Sequence, residues 1–325
     1  MKLQILIPHF LEEEEVIKPL LDSIAIQQNV DLQNEVGVII VNDGNKVILS
    51  DNFLKSYPFK IEYYINEQKG VSATRNACLD HATAEYVMFC DADDMFCNVC
   101  GLWILFREMN KGFDSLVSIF IEETRVSETK EIAYINRELD STFVHGKVHR
   151  RQYLLDNNIR WNENLTIHED SFFNIQCQKL STNVKYCPTP FYLWKWRDNS
   201  VCRHDPKYIL KTFNNLIDST DACITEFIKR DKITIASQLI TGLIYNCYFT
   251  MNKKEWLDQE NQEYRNSTEL RFKDFYLKYK SYYETIDEKE KNAIIMGIKN
   301  RMFQEGLMME SITFDDWIAK IINLN

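Results

Sequence analysis

Four short apolar segments recur in the first third of the chain, and none is long enough to form a stable helix. They span residues 3–7, 36–41, 61–65 and 86–90. Short segments as apolar as these suit strands that are buried on both faces, as in a parallel sheet. The longer stretches between them predict crossover helices, the first of which begins at the acidic run 12–15. We therefore expect an α/β fold with a Rossmann-like, mostly parallel twisted sheet flanked by helices.

The pattern changes along the rest of the chain. Residues 115–121 and 132–135 resemble further strands, short helices begin near Arg150 and Ser171, and helical periodicity dominates 208–228, 234–251 and 288–303. A chain of 325 residues with 45% hydrophobic content can bury one large core and an appended region. We predict an α/β domain over residues 1–204 and a helical C-terminal region over residues 205–325. The apolar stripes of the helical region leave open whether they form a core or a homo-oligomer interface.

The bulk properties exclude several classes of protein. A net charge of -10 argues against a general nucleic-acid binder, because phosphate binding depends on lysine and arginine. Residues 1–8 already resemble a strand and leave no room for a signal peptide, and no apolar run approaches the roughly 20 residues of a membrane span. Nine cysteines, an odd number, suggest reduced thiols. We expect a cytoplasmic protein.

Three carboxylates follow the fourth apolar segment directly. They belong to Asp91, Asp93 and Asp94. Ligands of open α/β sheets collect at the carboxyl ends of strands, and an extended backbone would turn Asp91 and Asp93 to one side and Ala92 to the other. Two such oxygens can hold Mg²⁺ or Mn²⁺ and leave positions for water and diphosphate. The alternative is that the acids only cap a solvated turn.

Three further motifs precede these acids in a fixed order. The sequences are ILIP at 5–8, IIVNDG at 39–44 and KGVSATRNA at 69–77, followed by DADD at 91–94. Together they resemble the nucleotide-binding half of the family 2 glycosyltransferases, which are inverting enzymes with the GT-A fold. The resemblance implies a nucleotide-sugar donor and a divalent metal, and it divides the α/β domain into a nucleotide-binding half, 1–94, and an acceptor half, 95–204.

The resemblance assigns donor-binding roles to residues at strand ends. Pro8 and Phe10 would border the nucleoside, and Asp43 would reach the base or the ribose. Ala92 would lie against the donor between the two metal ligands, Asp91 and Asp93.

A second group of donor contacts would come from the loop and helix that follow the third strand. Lys69 and Gly70 would direct backbone amides at the ligand. Arg75 would lie near the diphosphate or the base, where its planar cationic fork suits phosphate oxygens. The simpler alternatives are a surface arginine paired with an acid and a solvated lysine.

The acceptor half carries its own motifs. They are HGKVHRR at 145–151, NNIRW at 157–161 and HEDSFF at 168–173. They resemble the acceptor side of the same family, in which an ED pair opens a helix. Direct inverting transfer needs a carboxylate that takes the proton of the acceptor hydroxyl, and we assign Asp170 as this base. Glu169 would orient it or contact the acceptor. Asp170 would also serve as a helix N-cap.

The stretch 192–204 resembles the family's tyrosine-arginine-serine segment. Its basic end would close over the diphosphate, where Arg203 and His204 could contact phosphates and His204 could complete the metal shell. Trp194 and Trp196 could stack on a sugar, although aromatic residues in a strand more often belong to a core.

These features together predict an inverting, metal-dependent glycosyltransferase that uses a UDP-sugar. Its acceptor would be a glycan or polymer, as in the bacterial synthesis of surface polysaccharide or teichoic acid. Peripheral membrane association through the acceptor or other enzymes stays open. The alternatives are a nucleotidyl or phosphoryl transferase, since paired aspartates and a metal serve that chemistry too, and a sugar-nucleotide or glycan-binding module without turnover.

Overall fold

The structure is a computed structural model, and it describes residues 1–126, 129–138, 140, 142–197, 208–258, 261–304 and 312–324. The chain divides into two compact units, Met1–Ser200 and Val201–Asn325. The predicted boundary at residue 204 lies outside the described residues, so the proposed domain limits remain a prediction.

The first unit contains two sheets. Its strands are β1 Leu3–His9, β2 Val36–Asn42, β3 Lys60–Ile65, β4 Tyr86–Phe89, β5 Met95–Phe96, β6 Ser115–Ser118, β7 Phe120–Arg125, β8 Ile132–Arg137, β9 Lys147–Arg150, β10 Val184–Cys187 and β11 Tyr192–Trp194. The larger sheet has the order β10-β6-β9-β4-β1-β2-β3, and the smaller has the order β5-β11-β7-β8. In the larger sheet only β9 runs antiparallel to its neighbours, β4 and β6. The predicted mostly parallel α/β sheet is therefore confirmed.

The four apolar segments of the sequence are β1 to β4, and burial explains the agreement for β1, β2 and β4, whereas β3 is an edge strand that is only partly buried. Every residue of β2 is buried, and six of the seven residues of β1 are buried, as expected for strands covered on both faces. The predicted strand at 115–121 was wrong in one respect. The chain leaves the larger sheet after Ser118 and enters the smaller sheet at Phe120, so one apolar run supplies two strands.

Helices cover the sheet of the first unit. They are α1 Glu14–Ala25, α2 Leu32–Glu35, α3 Asp51–Leu54, α4 Val71–His81, α5 Gly101–Met109, α6 Arg151–Asp156 and α7 Glu169–Lys179. An aromatic cluster packs beneath the carboxyl end of β4, with the rings of Trp161 and Phe173 stacked at 4.3 Å and Phe89 edge-on to both. All three side chains are buried. Truncating such a ring to alanine typically costs about 3–5 kcal/mol.

The described part of the second unit is helical, as predicted. Its helices are α8 Tyr208–Lys211, α9 Phe213–Lys229, α10 Ile233–Met251, α11 Lys254–Leu257, α12 Gln262–Thr285, α13 Glu288–Gln304 and α14 Phe314–Ile322. Helix α12 has 24 residues and was not predicted, because its buried aromatic residues are spaced among many charged ones. Among the described residues, no helix has the length and apolar character that crossing a membrane requires.

Candidate functional site

The acidic turn, residues 91–94, follows β4 and ends the strand sharply. The amide of Asp94 donates to the carbonyl of Asp91 at 3.2 Å, which closes a turn. The extended backbone that we expected here is therefore wrong, and the turn rather than strand alternation directs the three carboxylates. The Asp91 carboxylate accepts from Arg75, and the Asp93 carboxylate accepts from Arg197. The Asp94 side chain is buried in the protein.

Arg75 lies at the centre of the site. It occupies α4, and its side chain is only 4% exposed, so the alternative of a surface arginine is excluded. Its Nη2 donates to Asp91 at 3.0 Å, and its Nη1 donates to Glu169 at 3.2 Å and to Asp170 at 2.8 Å. The guanidinium also stacks 4.4 Å from the ring of Trp161. Burial disfavours the cation, but the three carboxylates outweigh it and raise the pKa of Arg75.

Glu169 and Asp170 open α7, as the motif predicted. Two acids in a first helical turn meet the positive end of the helix dipole. The N-cap position belongs to His168, whose backbone is left-handed with φ 63°, so the alternative of Asp170 as N-cap is wrong. The Asp170 carboxylate instead accepts from Arg75 and from the amide of Val144 at 3.0 Å.

The environment of Asp170 favours its protonated form. Burial raises the pKa of this carboxyl to about 7, with the Glu169 and Asp91 carboxylates adding to the rise and Arg75 opposing it. Burial alone would also raise the pKa of Asp91. The Arg75 and His145 side chains outweigh burial, so the pKa of Asp91 is lowered. The two carboxyls on either side of one guanidinium therefore titrate in opposite directions.

Asp94 is fully buried and held by side chains from distant parts of the sequence. Its carboxylate accepts from the Tyr192 hydroxyl at 2.5 Å and from the Lys195 amide at 2.9 Å, and His145 Nδ1 lies 3.6 Å away. Burial raises the pKa of Asp94 well above its ordinary value, and Asp93 and Asp91 add to the rise. The Tyr192 hydroxyl also accepts from the Asp91 amide at 3.2 Å. Tyr192 therefore supports the acidic turn at two points.

Three residues of this site could hold a divalent cation. One ligand atom from each of Asp91, Asp94 and His145 lies within 4.8 Å of the others. Carboxylate oxygens and an imidazole nitrogen suit Mn²⁺ and related cations, so the donor set fits. The sequence motifs contain Asp94 and His145 but indicate no metal-binding role for either residue. The antiparallel pairing of β9 with β4, which brings the start of β9 to the end of β4, was the missing information.

Asp93 is the partly exposed carboxylate of the acidic turn that pairs with Arg197. Arg197 Nη1 lies 3.0 Å from Asp93 and 3.7 Å from Glu12. Burial raises the pKa of Asp93, with Asp91 adding and Arg197 opposing. Arg197 was not named in advance, although it belongs to the basic stretch that the sequence indicated. Arg203 and His204, which were named, lie outside the described residues.

The residues predicted to contact the nucleoside lie at strand ends, as the motifs indicated. Pro8 is the penultimate residue of β1, and Phe10 follows that strand with 40% of its surface exposed. Asp43 follows β2 and is buried, and Ala92 is buried within the acidic turn. Parallel β1, β2 and β4 bring these positions to one edge of the sheet.

The loop before α4 is bound by Asp43. The Asp43 carboxylate accepts from the Lys69 amide at 2.8 Å and from the Gly70 amide at 3.0 Å. Gly70 begins the helix with φ 92°, a backbone conformation that suits glycine. The two amides expected to face a ligand are thus engaged by Asp43. The Lys69 ammonium is largely exposed and lies 3.6 Å from Glu67, as a solvated lysine would.

The two tryptophans differ in their surroundings. Trp194 is buried, and its ring lies 4.8 Å from the rings of both Phe143 and His145. This packing supports a core role for Trp194 rather than stacking on a sugar. Trp196 is half-buried.

Comparisons with known proteins agree with this architecture. The model of the family described as Glycosyl transferase family 2 matches residues 4–164. Teichoic acid poly(glycerol phosphate) polymerase of Staphylococcus epidermidis is 27% identical over 208 residues, 59% of this chain and 28% of that protein. Minor teichoic acid biosynthesis protein GgaB of Bacillus subtilis is 28% identical over 167 residues, 45% of this chain and 18% of that protein. This chain therefore spans less than a third of the length of either relative.

A solved structure has a similar fold. The crystal structure of S. aureus TarS 1–349 in complex with UDP aligns with a TM-score of 0.63 at 16% identity, over 97% of this chain and 95% of that one. The predicted GT-A fold is confirmed by this likeness. The matched residues 4–164 contain β1 to β4, the Arg75 helix and the acidic turn, and this part of the chain is a glycosyl transferase family 2 domain.

Proposed function

We propose that this protein transfers a sugar from a nucleotide diphosphate donor, a UDP-sugar, to an acceptor hydroxyl with inversion at the anomeric carbon. The observation that carries the proposal is that Asp91 and Asp170, from the two halves of the domain, hydrogen-bond the same buried guanidinium of Arg75. Inverting transfer needs a leaving-group site and a base close to one reacting carbon. The TarS structure of similar fold contains UDP, which supports the choice of nucleotide.

Asp170 is the proposed base. It would take the proton of the acceptor hydroxyl while the acceptor oxygen bonds the anomeric carbon and the bond from that carbon to the diphosphate oxygen breaks. The leaving electron pair stays on the diphosphate. A pKa of about 7 suits this task, because about half of the carboxylate is ionised at neutral pH and it accepts a proton readily. Glu169 shares Arg75 with it and would orient it.

A divalent cation, Mn²⁺ or Mg²⁺, is proposed at the acidic turn. Asp91 would bind it together with Asp93, the pair that the sequence predicts, or with Asp94 and His145, whose ligand atoms lie within 4.8 Å of that of Asp91. His204 remains a predicted further ligand. When bound, such a cation stabilises the charge of the departing diphosphate.

The donor's nucleoside would lie against the strand ends at Pro8 and Phe10. Asp43 would contact the base or ribose while it holds the loop at Lys69 and Gly70. The nitrogens Nη1 and Nη2 of Arg75 already bond carboxylates. We therefore propose that Arg75 organises the acids of the site in addition to the predicted donor contact.

The proposed acceptor is a bacterial surface polymer of the teichoic-acid kind. Both relatives described above are named for teichoic acid synthesis, and this is the basis of the proposal. We further propose that the protein acts in the cytoplasm, at the inner face of the membrane where such acceptors are held.

The test is product analysis with a panel of UDP-sugars and MnCl₂. We expect release of UDP that stops when EDTA removes the metal. Release of UMP would instead support transfer of a sugar phosphate, and release of sugar 1-phosphate would support nucleotidyl transfer. Calorimetric binding of UDP without turnover on any donor and acceptor would support a binding module.

A further inference from the structure

Lys147 is a buried cation that the proposed mechanism does not use. It lies in β9, and only 1% of its surface is exposed. Its ammonium donates to the carbonyl oxygens of Phe143 and His145, the latter at 3.4 Å. Both acceptors belong to the segment that leads into β9. Burying an ammonium is costly unless it is well paired, so a specific local role is expected.

The segment that Lys147 binds is the 142–146 loop. Its carbonyls are also held from α7, where Asn174 Nδ2 donates to Thr142 at 3.0 Å and to Phe143 at 2.9 Å. At its other end the Gly146 carbonyl accepts from the amide and the hydroxyl of Ser118. Gly146 has φ 65°, and a Cβ there would lie 2.6 Å from Ser118 Oγ. The loop therefore has one tightly specified conformation.

The 142–146 loop contacts both halves of the site. The Val144 amide donates to Asp170 Oδ2 at 3.0 Å. On the next residue, His145 Nδ1 lies 3.6 Å from Asp94 Oδ2, and its ring stacks on Tyr192 with centroids 5.2 Å apart. A displacement of this loop would move the partner of the base and the neighbour of the acidic turn together.

We propose that Lys147 is a positioning residue for the transfer reaction, and that its ammonium holds the 142–146 loop where Val144 and His145 meet Asp170 and Asp94. The inference rests on the proposed function. Lys147 touches neither donor nor acceptor in this scheme. Its effect would pass through the Phe143 and His145 carbonyls to the neighbouring residues, and its charge also interacts with the Asp170 carboxylate.

The experiment compares Lys147→Met, which keeps the aliphatic stem and loses the donors, with the wild-type chain. Turnover is measured as UDP release from UDP-GlcNAc, or from another active UDP-sugar of the panel, with MnCl₂. We expect kcat to fall by about 10- to 100-fold, the cost of misplacing a catalytic group by about 1 Å. The affinity for UDP, measured by calorimetry without metal, should change by less than about threefold, because Asp43 bonds the loop before α4 and not the 142–146 loop.

Tyr153→Phe is the matched control. It removes a buried hydrogen bond that lies outside the 142–146 loop. The Tyr153 hydroxyl of α6 donates this bond to the Cys177 carbonyl of α7 at 3.0 Å. We expect a lower Tm and an unchanged kcat. If Lys147→Met behaves in the same way, the positioning role is overturned and Lys147 is only structural.

Two further variants keep the test decisive. If Lys147→Met does not fold, Lys147→Gln, which retains a donor for the Phe143 carbonyl, should fold and show an intermediate kcat. Asn174→Leu should also lower kcat, and its effect should not add to that of the Lys147 variant, because both loosen one loop. Full additivity or a wild-type kcat in these variants would contradict the inference.

The wild-type chain separates this inference from the proposed function. If it releases no UDP from any donor of the panel, the proposed function fails, and the inference fails with it. If the wild-type chain is active and the Lys147 variants match it, only the inference fails.

Discussion

Asp43, which is buried, and Asp170, whose side chain is 18% exposed, both lie at the end of a regular element, yet they bond different partners. Asp43 accepts two backbone amides, from Lys69 and Gly70, and so fixes a loop. Asp170 accepts one amide and shares Arg75 with Glu169 and Asp91. Three carboxylates around one guanidinium leave a surplus of negative charge. The raised pKa of Asp170 therefore comes from burial together with the neighbouring Glu169 and Asp91 carboxylates, while the shared guanidinium opposes it.

The largest effect should come from Asp170→Asn. An amide keeps the shape but cannot take the acceptor's proton, so kcat should fall by about 10²–10⁴-fold while UDP binding is spared. UDP release and calorimetry measure the two quantities. Asp80→Asn, at an exposed acid of α4 that pairs with Arg160, is the control and should leave kcat unchanged. If Asp170→Asn transferred sugar normally, Asp170 would not be the base, and the proposed difference in role between Asp170 and Asp43 would not hold.

Arg75→Met tests whether the crowded acids depend on their shared cation. Removing it leaves buried carboxylates without a counter-charge, and the free energy of unfolding should fall by about 3–5 kcal/mol. Urea denaturation measures this. The matched variant Arg160→Met breaks the surface pair with Asp80 and should cost at most about 1 kcal/mol. Equal effects of the two variants would show that the central cluster is solvated.

The pH profile of kcat sharpens the comparison further. Because Asp170 must be ionised to act and burial raises its pKa to about 7, kcat should rise with pH through about 7. Below that it should fall by about tenfold per pH unit. Asp43→Asn should leave the position of this limb unchanged. If kcat instead fell only near pH 4, the pKa of Asp170 would not be raised as described.

The same shift predicts how stability varies with pH. The folded chain binds the Asp170 proton more tightly than the unfolded chain, whose aspartates titrate near 3.8. The stabilisation by this proton is therefore complete below pH 3.8 and is lost as pH rises through about 7. Urea denaturation at several pH values should show a smaller slope in this range for Asp170→Asn than for the wild type. An identical slope would contradict the raised pKa.

The smallest effect should follow Asp43→Asn. Loss of the charge on two amide hydrogen bonds should lower the free energy of unfolding by about 1–2 kcal/mol and weaken UDP binding. Asp31→Asn, which weakens a similar bond to the Asn34 amide at the exposed start of α2, should lower stability and spare UDP binding. Equal UDP affinity in both variants would argue against a donor role for the Asp43 loop.

Much of the fold could be predicted from the sequence because β1, β2 and β4 are almost entirely buried, and strands buried on both faces are rich in apolar residues. The start of α7 was predictable from its two acids. The turn at Asp91–Asp94 was not, because Asp94 is held by Tyr192 and Lys195, about 100 residues away. Local sequence patterns do not indicate partners that are so far apart in the chain. For the same reason the burial of Arg75 and the support of His145 emerged only with the packing of distant elements.

The central claim is that the acidic turn and Asp170 face one reacting centre on either side of Arg75. The most direct test is a crystal structure of the protein with UDP and MnCl₂, with manganese located by anomalous scattering. We expect manganese to be bound by carboxylates of the acidic turn and by the diphosphate. Asp170 should lie across the space where the sugar would be bound. Manganese and UDP bound elsewhere, with Asp91 and Asp93 directed into solvent, would contradict it.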